Sequence, residues 1–361
     1  MRFSEFKDSF EITSVGKLVK VKMGQSPDSS SYNTDGIGVP LVQGNADIQD
    51  RTTKPQRYTS LPSSKYCDVG DALISVRAPV GSISKSNVRA CIGRGIASLG
   101  KIDNFLYQFF LLKENSWGNI AQGSTFSCIT AKDIENLIIG IPTVEERNKI
   151  GSFLALLDER IQTQNKIIEA LTSLIKQLKV NSFSKMEING SSYYFEELFI
   201  KYSKNNIMNY PQYSVGKYGI KSMEQSNLYS TNNHIVFEPN SLILGIGIDE
   251  CGVSKDLYGC CSPIYKIYKI NNEIIKPDFV DLFIRLFLEK KKNFISQKST
   301  RREYEIVYSL LDKTLFYIPS INEQEKIAFP IKKLIEKLNL EKEILNKYVE
   351  EKNYLLANLF I

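Results

Sequence analysis

The sequence predicts an α+β fold built as a tandem repeat, in which a globular α/β unit followed by a long helix occurs twice. Three observations support this prediction. The segment "IPTVEERNKI" at residues 141–150 recurs as "IPSINEQEKI" at residues 318–327, a spacing of 177 residues. A heptad pattern of apolar residues follows both copies, and the segments that precede the copies can also be aligned. The predicted boundaries are 1–141 and 186–318 for the globular units, and 142–185 and 319–361 for the helices.

Each copy is followed by apolar residues at alternating steps of four and three, which is the a/d seam of a coiled coil. The first seam is Ile150, Leu154, Leu157, Ile161, Gln164, Ile168, Leu171, Ile175 and Leu178. Adding 177 gives the second seam, Ile327, Ile331, Leu334, Leu338, Glu341, Leu345, Tyr348, Lys352 and Leu355. Gln164 and Glu341 are equivalent, and such residues either fix the register of two helices or face solvent. Lys352 stands where the first seam has Ile175, so we expect the second seam to be weaker.

Both helices carry the same start signal. Thr143 and Ser320 are N-cap candidates, and Glu146 and Glu323 follow three residues later, which is the spacing of a capping box. The second helix also contains Pro330. Because proline removes a backbone hydrogen bond inside a helix, we expect this helix to bend or to begin again near Pro330.

The segments ahead of the helices share an order of elements. "VGDALISVRAPVGSIS" at 69–84 and "EPNSLILGIGIDECGVS" at 238–254 both indicate a turn, a buried strand, a glycine-rich turn and a strand. Residues 105–125 and 279–300 both indicate an aromatic-rich amphipathic helix followed by a polar loop that ends in Ser-Thr. These parallels extend the repeat over the globular units.

Composition indicates a folded, non-membrane protein. Apolar residues make up 42% and charged residues 24% of the chain, and no apolar run approaches the roughly 20 residues that cross a bilayer. The amphipathic start does not resemble a signal peptide, so a cytoplasmic location is expected, with the six cysteines as reduced, buried or half-buried thiols. The net charge of +6 is spread thinly over the four predicted segments. A tight hold on nucleic acid phosphates without partners is therefore not expected.

Catalytic motifs are missing from the sequence. It contains no Walker A, G-x-G-x-x-G or HExxH motif, and its single histidine, His234, lies in a polar stretch typical of a solvated loop. The sequence also fits the loose spacing of metal-dependent nucleases, with Pro277 and Asp278 followed by Glu289, Lys290 and Lys291. Such nucleases hold Mg²⁺ with carboxylates on neighbouring strands. Helical periodicity between them, and the lack of matching residues in the first repeat, disfavour a nuclease. No catalytic or metal-ligating residue is predicted.

The repeated "IPTVEERNKIGSFLALLDERI" and "IPSINEQEKIAFPIKKLIEKL" resemble the central and distal conserved regions of the specificity (S) subunits of Type I restriction-modification systems. "KMGQSPDSSSYN" at 22–33 and "VPLVQGNADIQD" at 39–50 look like the opening of one class of target recognition domain from that family. The resemblance covers essentially the whole chain. It implies that the two globular units are target recognition domains in pseudo-twofold tandem, and that the two helices pack as an antiparallel coiled coil.

The resemblance also implies a function. Each recognition domain would read one half of a split, asymmetric sequence in double-stranded DNA, and the helix pair would dock two methyltransferase subunits. Restriction subunits would join through these. S-adenosylmethionine, ATP and Mg²⁺ would be bound by the partners and no cofactor by this chain, which would be a non-catalytic subunit. The alternative from a different class is a structural coiled-coil adaptor that joins two protein-binding domains.

Polar residues on loops are the candidates for DNA contact, because base edges and phosphates are read by such side chains. In the first domain they are Gln25, Ser26, Ser31, Tyr32, Gln43, Arg77, Arg94, Gln122, Ser124 and Thr125. In the second domain they are Lys204, Lys217, Tyr218, Lys255, Ser299, Thr300, Arg301 and Arg302. For each residue, ordinary surface polarity is the competing interpretation.

Two further expectations concern the helices. The first seam has 29 positions, about 43 Å at about 1.5 Å per residue, which is on the order of one turn of DNA. Inserting residues near 179–181 is therefore expected to lengthen the unread gap between the half-sites. Leu156, Leu174, Ile335 and Leu340 lie off the seam, which indicates a partner surface or contact with the globular units.

Overall fold

The computed structural model describes residues 3–117, 128–204, 210–223, 234–300 and 302–360. The chain divides into two compact units. Unit 1 comprises Met1–Asn165 and Glu343–Ile361, and unit 2 comprises Lys166–Lys342. Both boundaries fall inside long helices, and they are 177 residues apart, which is the spacing of the sequence repeat. Each unit therefore contains a globular domain and a part of both long helices.

The helices of the described residues include two that are much longer than the others. The long helices are α3 (Val144–Asn189) and α7 (Ile321–Leu359). The others are α1 (Asn104–Lys113), α2 (Ala131–Glu135), α4 (Phe195–Leu198), α5 (Pro277–Ile295) and α6 (Tyr308–Asp312). None of the described helices is long and apolar enough to cross a membrane.

Unit 1 has three sheets within its described residues. The strands are β1 (Glu11–Ser14), β2 (Lys22–Met23), β3 (Tyr32–Asn33), β4 (Val39–Val42), β5 (Ile48–Gln49), β6 (Thr52–Thr53), β7 (Arg57–Thr59), β8 (Tyr66–Cys67), β9 (Ala72–Ser75), β10 (Ile83–Lys85), β11 (Ala90–Ile92), β12 (Ile96–Gly100) and β13 (Ile138–Ile141). Their orders are β1-β13, β2-β12-β9-β10-β6-β5 and β3-β7-β4-β11-β8. The expected hairpin in residues 69–84 is present, because β9 and β10 pair antiparallel.

Unit 2 has a four-stranded sheet and four two-stranded ones in the part that the structure describes. The strands are β14 (Ser191–Tyr194), β15 (Phe199–Tyr202), β16 (Tyr213–Gly216), β17 (Gly219–Ser222), β18 (Ile235–Phe237), β19 (Ser241–Leu244), β20 (Cys251–Val253), β21 (Gly259–Cys261), β22 (Lys266–Ile270), β23 (Ser296–Gln297), β24 (Glu305–Ile306) and β25 (Leu315–Ile318). The large sheet has the order β15-β22-β19-β20. The expected hairpin in residues 238–254 is formed by β19 and β20.

In both units the first and last strands of the globular domain pair with each other just before a long helix begins. β1 pairs antiparallel with β13, with Glu11 opposite Ile141. β14 pairs in the same way with β25, with Ser191 opposite Ile318. Ile141 and Ile318 are the first residues of the repeated sequence segment. This pairing therefore fixes where each domain ends and its long helix begins.

The first turn of each long helix is tied to the start of a domain helix. Arg147 forms an ion pair with Asp103, which caps α1 by accepting a hydrogen bond from the Leu106 N–H. The equivalent residue in the second repeat, Gln324, accepts a hydrogen bond from the Lys276 N–H at 2.9 Å, and Lys276 is the N-cap of α5. Different side chains therefore make the same structural connection in the two units.

Hydrogen bonds of both predicted capping boxes are present. In α3 the Glu146 N–H donates to Thr143 Oγ1 at 3.4 Å. In α7 the Glu323 carboxylate accepts hydrogen bonds from the Ser320 hydroxyl at 2.8 Å and the Ser320 N–H at 3.1 Å. These bonds lower the pKa of Glu323. Both helices therefore begin where the sequence signals predicted.

The long helices pack against each other within each unit, and the predicted fold class is confirmed. In unit 1 the beginning of α3, from Ile150 to Leu157, shares a core with Leu355 and Leu359 at the end of α7. In unit 2 the later part of α3 shares a core with Ile331 near the beginning of α7. The helices therefore run antiparallel in each unit. All eighteen seam positions are buried or half-buried.

The expectation of a new helix start near Pro330 is wrong. α7 is helical from Ile321 to Leu359 with Pro330 inside it. Packing explains this, because Ala328 and Ile331 on either side of the proline are buried in the unit 2 core. Such contacts offset the loss of one backbone hydrogen bond, which costs about 3 kcal/mol in a helix interior.

The six cysteines all lie in described residues and none forms a disulfide. Five are buried, as expected, whereas Cys128 is exposed. Burial raises the pKa of Cys251 to about 11 and that of Cys261 to about 12. Thiols of this kind stay protonated near neutral pH and pack as small apolar groups.

Replacing Gly151 by alanine is expected to destabilise unit 1. A Cβ at Gly151 would lie 2.6 Å from the Phe105 backbone nitrogen, because α3 passes close to the start of α1 there. Overpacking of this kind costs about 1–3 kcal/mol, which exceeds the gain of about 1 kcal/mol from the higher helix propensity of alanine. Denaturant unfolding of the full chain measures the change. The neighbouring exposed Ser152→Ala is the control, and an equal or higher stability of Gly151→Ala would contradict the prediction.

Candidate nucleic-acid interface

Five of the predicted residues in the first domain come together around the turn that follows β11. We call Gln25, Ser26, Tyr32, Gln43 and Arg94 the first-domain site. The Gln25 N–H donates to the Ile92 carbonyl at 2.8 Å, and the Arg94 N–H donates to Ser26 Oγ at 3.1 Å. Gln43 Nε2 donates to the Tyr32 hydroxyl at 2.7 Å. Three loops that are distant in sequence therefore present their polar side chains side by side.

Glycines permit the close approach of these loops. A Cβ at Gly24 would lie 2.2 Å from the Gly93 carbonyl oxygen, and a Cβ at Gly95 would lie 2.2 Å from the Gln43 carbonyl oxygen. No side chain fits at such distances, so backbone packs directly on backbone. The "IGRG" turn therefore owes its glycines to packing, and Arg94 is the residue of this turn whose side chain is exposed.

Arg77 lies next to the first-domain site. The N–H of Val76 donates to the Gly95 carbonyl at 2.8 Å, so the exposed Arg77 follows directly after a residue that is bonded to the turn. Gln25 and Arg94 are also exposed, whereas Tyr32 and Gln43 are half-buried. The surface thus combines two guanidinium groups with two amides, which are side chains that hydrogen-bond to base edges.

Ser31 supports this surface from inside. Its side chain is buried, and its hydroxyl bonds the Asp28 carbonyl at 2.6 Å and Thr59 Oγ1 at 2.7 Å. The hydroxyl therefore holds the loop and is not presented to a ligand. Gln122, Ser124, Thr125 and Arg301, which the sequence also suggested, lie outside the described residues.

In the second domain, Lys217 and Tyr218 form the tip of the hairpin between β16 and β17. The Tyr218 side chain is 81% exposed, and Lys221 Nζ lies 5.5 Å from the centre of its ring. An exposed aromatic ring flanked by ammonium groups is suited to stacking and phosphate contact. The tip lines a cavity of about 590 Å³ together with Lys255.

Arg285, a residue that the sequence analysis missed, holds this hairpin tip in place. Its guanidinium group donates to the carbonyl oxygens of Lys217, Gly216 (3.4 Å), Asp249 (3.2 Å) and Cys251 (2.6 Å). In the alignment of the two domain helices its counterpart is Leu111. The sequence signal that could have identified Arg285 is that the equivalent position in the other repeat is apolar.

Two other predicted residues of the second domain, Lys255 and Arg302, already form ion pairs within the domain. Lys255 forms an ion pair with Asp281 at 2.8 Å, and this hydrogen bond raises the pKa of Lys255. Arg302 pairs with Glu250, whose other oxygen accepts N–H groups of the 245–250 loop.

Ser299 and Arg302 are joined by backbone and hydroxyl hydrogen bonds of 3.0 Å, and Thr300 beside them is exposed. Lys204 lies apart from this group, after β15, where its carbonyl accepts the Val236 N–H. The second-domain candidates therefore form two groups with Lys204 separate. The 245–250 loop connects the groups, because Arg285 binds Asp249 and Arg302 binds Glu250.

The residues of the nuclease-like pattern do not have the geometry of a metal site. Asp278 and Glu289 both belong to α5, instead of lying on neighbouring strands. Asp278 pairs with Lys332 at 2.7 Å, and Glu289 pairs with Lys292 at 2.6 Å. The described residues contain no group of three or more His, Cys, Asp or Glu side chains placed to hold a metal ion.

Three of the four apolar residues that were predicted to lie off the seam are exposed on the long helices. Leu156 is 59% exposed, Leu174 42% and Leu340 56%. Ile335 differs, because it is half-buried against the unit 2 core. The two interpretations from the sequence therefore apply to different residues: the three leucines are available to a partner, and Ile335 contacts the globular domain.

Solved structures share the fold of this chain. The S subunit of the Type I restriction-modification system from M. genitalium aligns with a TM-score of 0.66 and 16% identity, over 99% of this chain and 97% of the other. A chain from a structure of complex assembly in the Type I system aligns with a TM-score of 0.58 and 12% identity, over 98% of both chains. The chain thus has the fold of a Type I specificity subunit.

A family model matches the first part of the sequence. Residues 7–173 match the family model of the Type I restriction modification DNA specificity domain. This segment, just under half of the chain, is therefore similar to a DNA specificity domain of these systems.

Two curated relatives come from Methanocaldococcus jannaschii. The putative type I restriction enzyme MjaX specificity subunit is 37% identical over 181 residues, which cover 48% of this chain and 42% of the relative. The type I restriction enzyme MjaIX specificity subunit is 27% identical over 214 residues, which cover 50% and 48%. The alignments span about half the length of these relatives.

Proposed function

We propose that this chain is the DNA sequence-specificity subunit of a Type I restriction-modification complex, and that each domain reads one half of a split, asymmetric target in double-stranded DNA. The observation that supports this most directly is a fold likeness to specificity subunits over nearly the whole chain. The family match of residues 7–173 adds sequence support for the first domain. Domains with different surface residues would read different half-sites, which accounts for an asymmetric target.

The side chains of the first-domain site suit direct readout. Arg94 and Arg77 can donate two hydrogen bonds to a guanine, and Gln25 can pair with adenine through its amide. Gln43 is held by Tyr32, so its orientation is set before DNA arrives. Ser26 is hydrogen-bonded to the Arg94 backbone and keeps the turn in position. Preorganised side chains of this kind discriminate between bases at a low entropic cost.

The helix pair would dock two methyltransferase subunits, and restriction subunits would join through these. Leu156 and Leu174 on α3 and Leu340 on α7 offer exposed apolar contacts for this purpose. S-adenosylmethionine, ATP and Mg²⁺ would be bound by those partners, so this chain would contribute recognition alone. The small net positive charge of this chain fits that assignment of roles, because the partners would supply much of the surface around DNA.

Sequencing of methylated bases tests the function. The chain is co-expressed with its methyltransferase partner, and genomic DNA is read by single-molecule sequencing. We expect a methylated motif with two specified halves and an unspecified gap, and a gel shift that is selective for that motif. Cells with the methyltransferase alone are the control. A structural adaptor would give neither result, and the absence of any motif from an active methyltransferase would contradict the proposal.

Arg285→Gln is expected to relax the reading of one half-site only. Loss of the guanidinium group releases the hairpin tip that carries Lys217 and Tyr218, while the buried face of α5 is unchanged. We expect a loss of about 1–3 kcal/mol in discrimination at one or two base pairs of the second half-site. Competition gel shifts with single-base variants measure it.

The exposed Lys290→Gln on the same helix is the control for the change in charge. Equal losses at both half-sites would contradict a local role of Arg285.

A further inference from the structure

The two units differ in polarity at three equivalent positions where the domain helix and the two long helices meet. In unit 1 these positions hold the polar triad Gln108, Asp158 and Lys352. In unit 2 they hold the apolar triad Leu282, Ile335 and Ile175. The long-helix residues are related by the repeat spacing of 177, and Gln108 and Leu282 are related by the alignment of α1 with α5. All three positions are therefore polar in unit 1 and apolar in unit 2.

The polar triad forms a connected, poorly exposed network. Lys352 Nζ donates to one carboxylate oxygen of Asp158, and Gln108 Nε2 donates to the other at 2.5 Å. The side chains of Lys352 and Asp158 are 13% and 28% exposed, and Gln108 is 1% exposed. The Oε1 atom of Gln108 is buried without a hydrogen-bond partner among the described residues. The network therefore stabilises a buried charge with a partner from the other long helix.

The apolar triad belongs to a continuous hydrophobic core. Ile175 is 8% and Leu282 is 7% exposed, and Ile335 packs half-buried against the same cluster. Neighbouring members of the cluster include Phe279 and Phe283 of α5. This site offers no acceptor among its three members, so an ammonium group placed there would lose its water without the triad partners that Lys352 has in unit 1.

The two long helices come from the same repeat and share one seam pattern. Because Asp158 and Ile175 lie on the same helix, the competing helix in each unit would come from a second copy of the chain. In unit 1 the third position is supplied by the end of α7, and in unit 2 by the later part of α3. If α3 took the place of α7 in unit 1, Ile175 would leave the Asp158 carboxylate and Gln108 without their cation. If α7 took the place of α3 in unit 2, Lys352 would be buried among aliphatic side chains. Both exchanges are unfavourable.

We propose that the polar triad is a pairing-selectivity element: Gln108 and Asp158 form an acceptor surface for a helix with lysine at this seam position, which admits α7 and rejects α3. Polar residues in coiled-coil cores specify partners in this way, at some cost in stability. Lys352, whose polarity suggested a weaker second seam, has a dedicated partner in Asp158. The proposal does not depend on DNA binding.

Exchange variants of the full chain test the proposal. The double exchange Ile175→Lys with Lys352→Ile imitates the wrong helix in each unit without altering the composition. We expect its Tm to fall by about 10 °C or more, because charges in both units lose their partners. The complete exchange moves both triads and is expected to recover most of the loss. It adds Gln108→Leu, Asp158→Ile, Leu282→Gln and Ile335→Asp.

Hydrogen exchange shows where each loss occurs. Lys352→Ile alone should raise exchange in the helix segments of unit 1 at 150–160 and 343–360, and Ile175→Lys alone should raise it in unit 2 at 170–186. Adding Gln108→Leu and Asp158→Ile to Lys352→Ile should restore protection in unit 1. A fold that tolerated any combination would show neither the localisation nor the rescue.

A double exchange as stable as the wild type would overturn the proposal, and so would a complete exchange no better than the double one. If neither exchange variant folds, the charge reversal Asp158→Lys with Lys352→Asp decides. It keeps the ion pair, so it should fold and unfold at a higher temperature than either reversal alone. A reversed pair no more stable than its single variants would overturn the proposal.

Discussion

Three heptads inserted into both long helices are expected to lengthen the unread gap of the DNA target by about nine base pairs. Twenty-one residues add about 32 Å of helix at about 1.5 Å per residue, which is close to the 34–36 Å of one turn of DNA. Under the proposed function the helices set the distance between the half-sites. An added length near one full turn would return both domains to the same face of the duplex.

The insertion points follow from the core of each unit. Residues 158–174 of α3 and 339–354 of α7 contribute no member to the core clusters. Insertions after Asn165 and Lys342 fall in these stretches, at positions 177 residues apart. Residues 179–181, which the sequence had suggested, are less suitable, because they lie between Ile175 and Phe183 in the unit 2 core. Whole heptads preserve the seam in both helices.

Methylome sequencing measures the gap for each insertion. A single heptad should add about three base pairs, with weaker binding because the half-sites are then out of phase around the duplex. The control is a Gly-Ser insertion of the same length, which is flexible and should abolish a single defined gap. An unchanged gap in the helical variant would refute the idea that helix length sets the spacing.

The paired helices were predictable because their signals are local and periodic. The seam from Ile150 to Leu178 repeats every seven residues, and Thr143 and Ser320 mark the helix starts, so each feature can be read from neighbouring positions. Pro330 was misjudged for the opposite reason. The cost of a proline inside a helix can be read from the sequence. The burial of Ala328 and Ile331, which offsets that cost, depends on contacts with the rest of unit 2.

The polar surfaces were only partly predictable, since they depend on contacts between distant segments. Residue type and loop position suggested Gln43 and Arg94, but not that Gly95 would bring their loops together. Ser31 had the same apparent chemistry and is buried. Arg285 was missed because a helix pattern does not indicate which carbonyl groups a side chain will meet.

The role of Lys352 also required the fold. Read from the seam alone, a lysine at a core position is a defect. In the structure its ammonium group meets Asp158 of the other long helix, 194 residues away in sequence. Periodicity identifies which positions face a partner helix, and the identity of the opposing residue decides whether a polar side chain there weakens or specifies the contact.

Arg94→Ala is expected to abolish discrimination at one base pair of the first half-site. The backbone N–H of residue 94, which bonds Ser26, is retained by alanine, so the turn should keep its shape. Loss of a base-contacting guanidinium group typically costs about 1–3 kcal/mol, which corresponds to a factor of about 5 to 160 in relative affinity for the preferred base. Binding to the second half-site should be unchanged.

Arg89→Ala is the matched control. Arg89 is an exposed arginine of the same domain whose nearest acidic partner is Asp68, at 3.4 Å, and it lies outside the first-domain site. Competition gel shifts with all four base pairs at each position of the half-site compare the two variants. A uniform loss of affinity over all sequences, with a reduced salt dependence, would mean that Arg94 contacts a phosphate. Arg94→Lys separates these cases further, because lysine keeps a phosphate contact but cannot reproduce the planar, two-donor geometry of a guanidinium group on guanine.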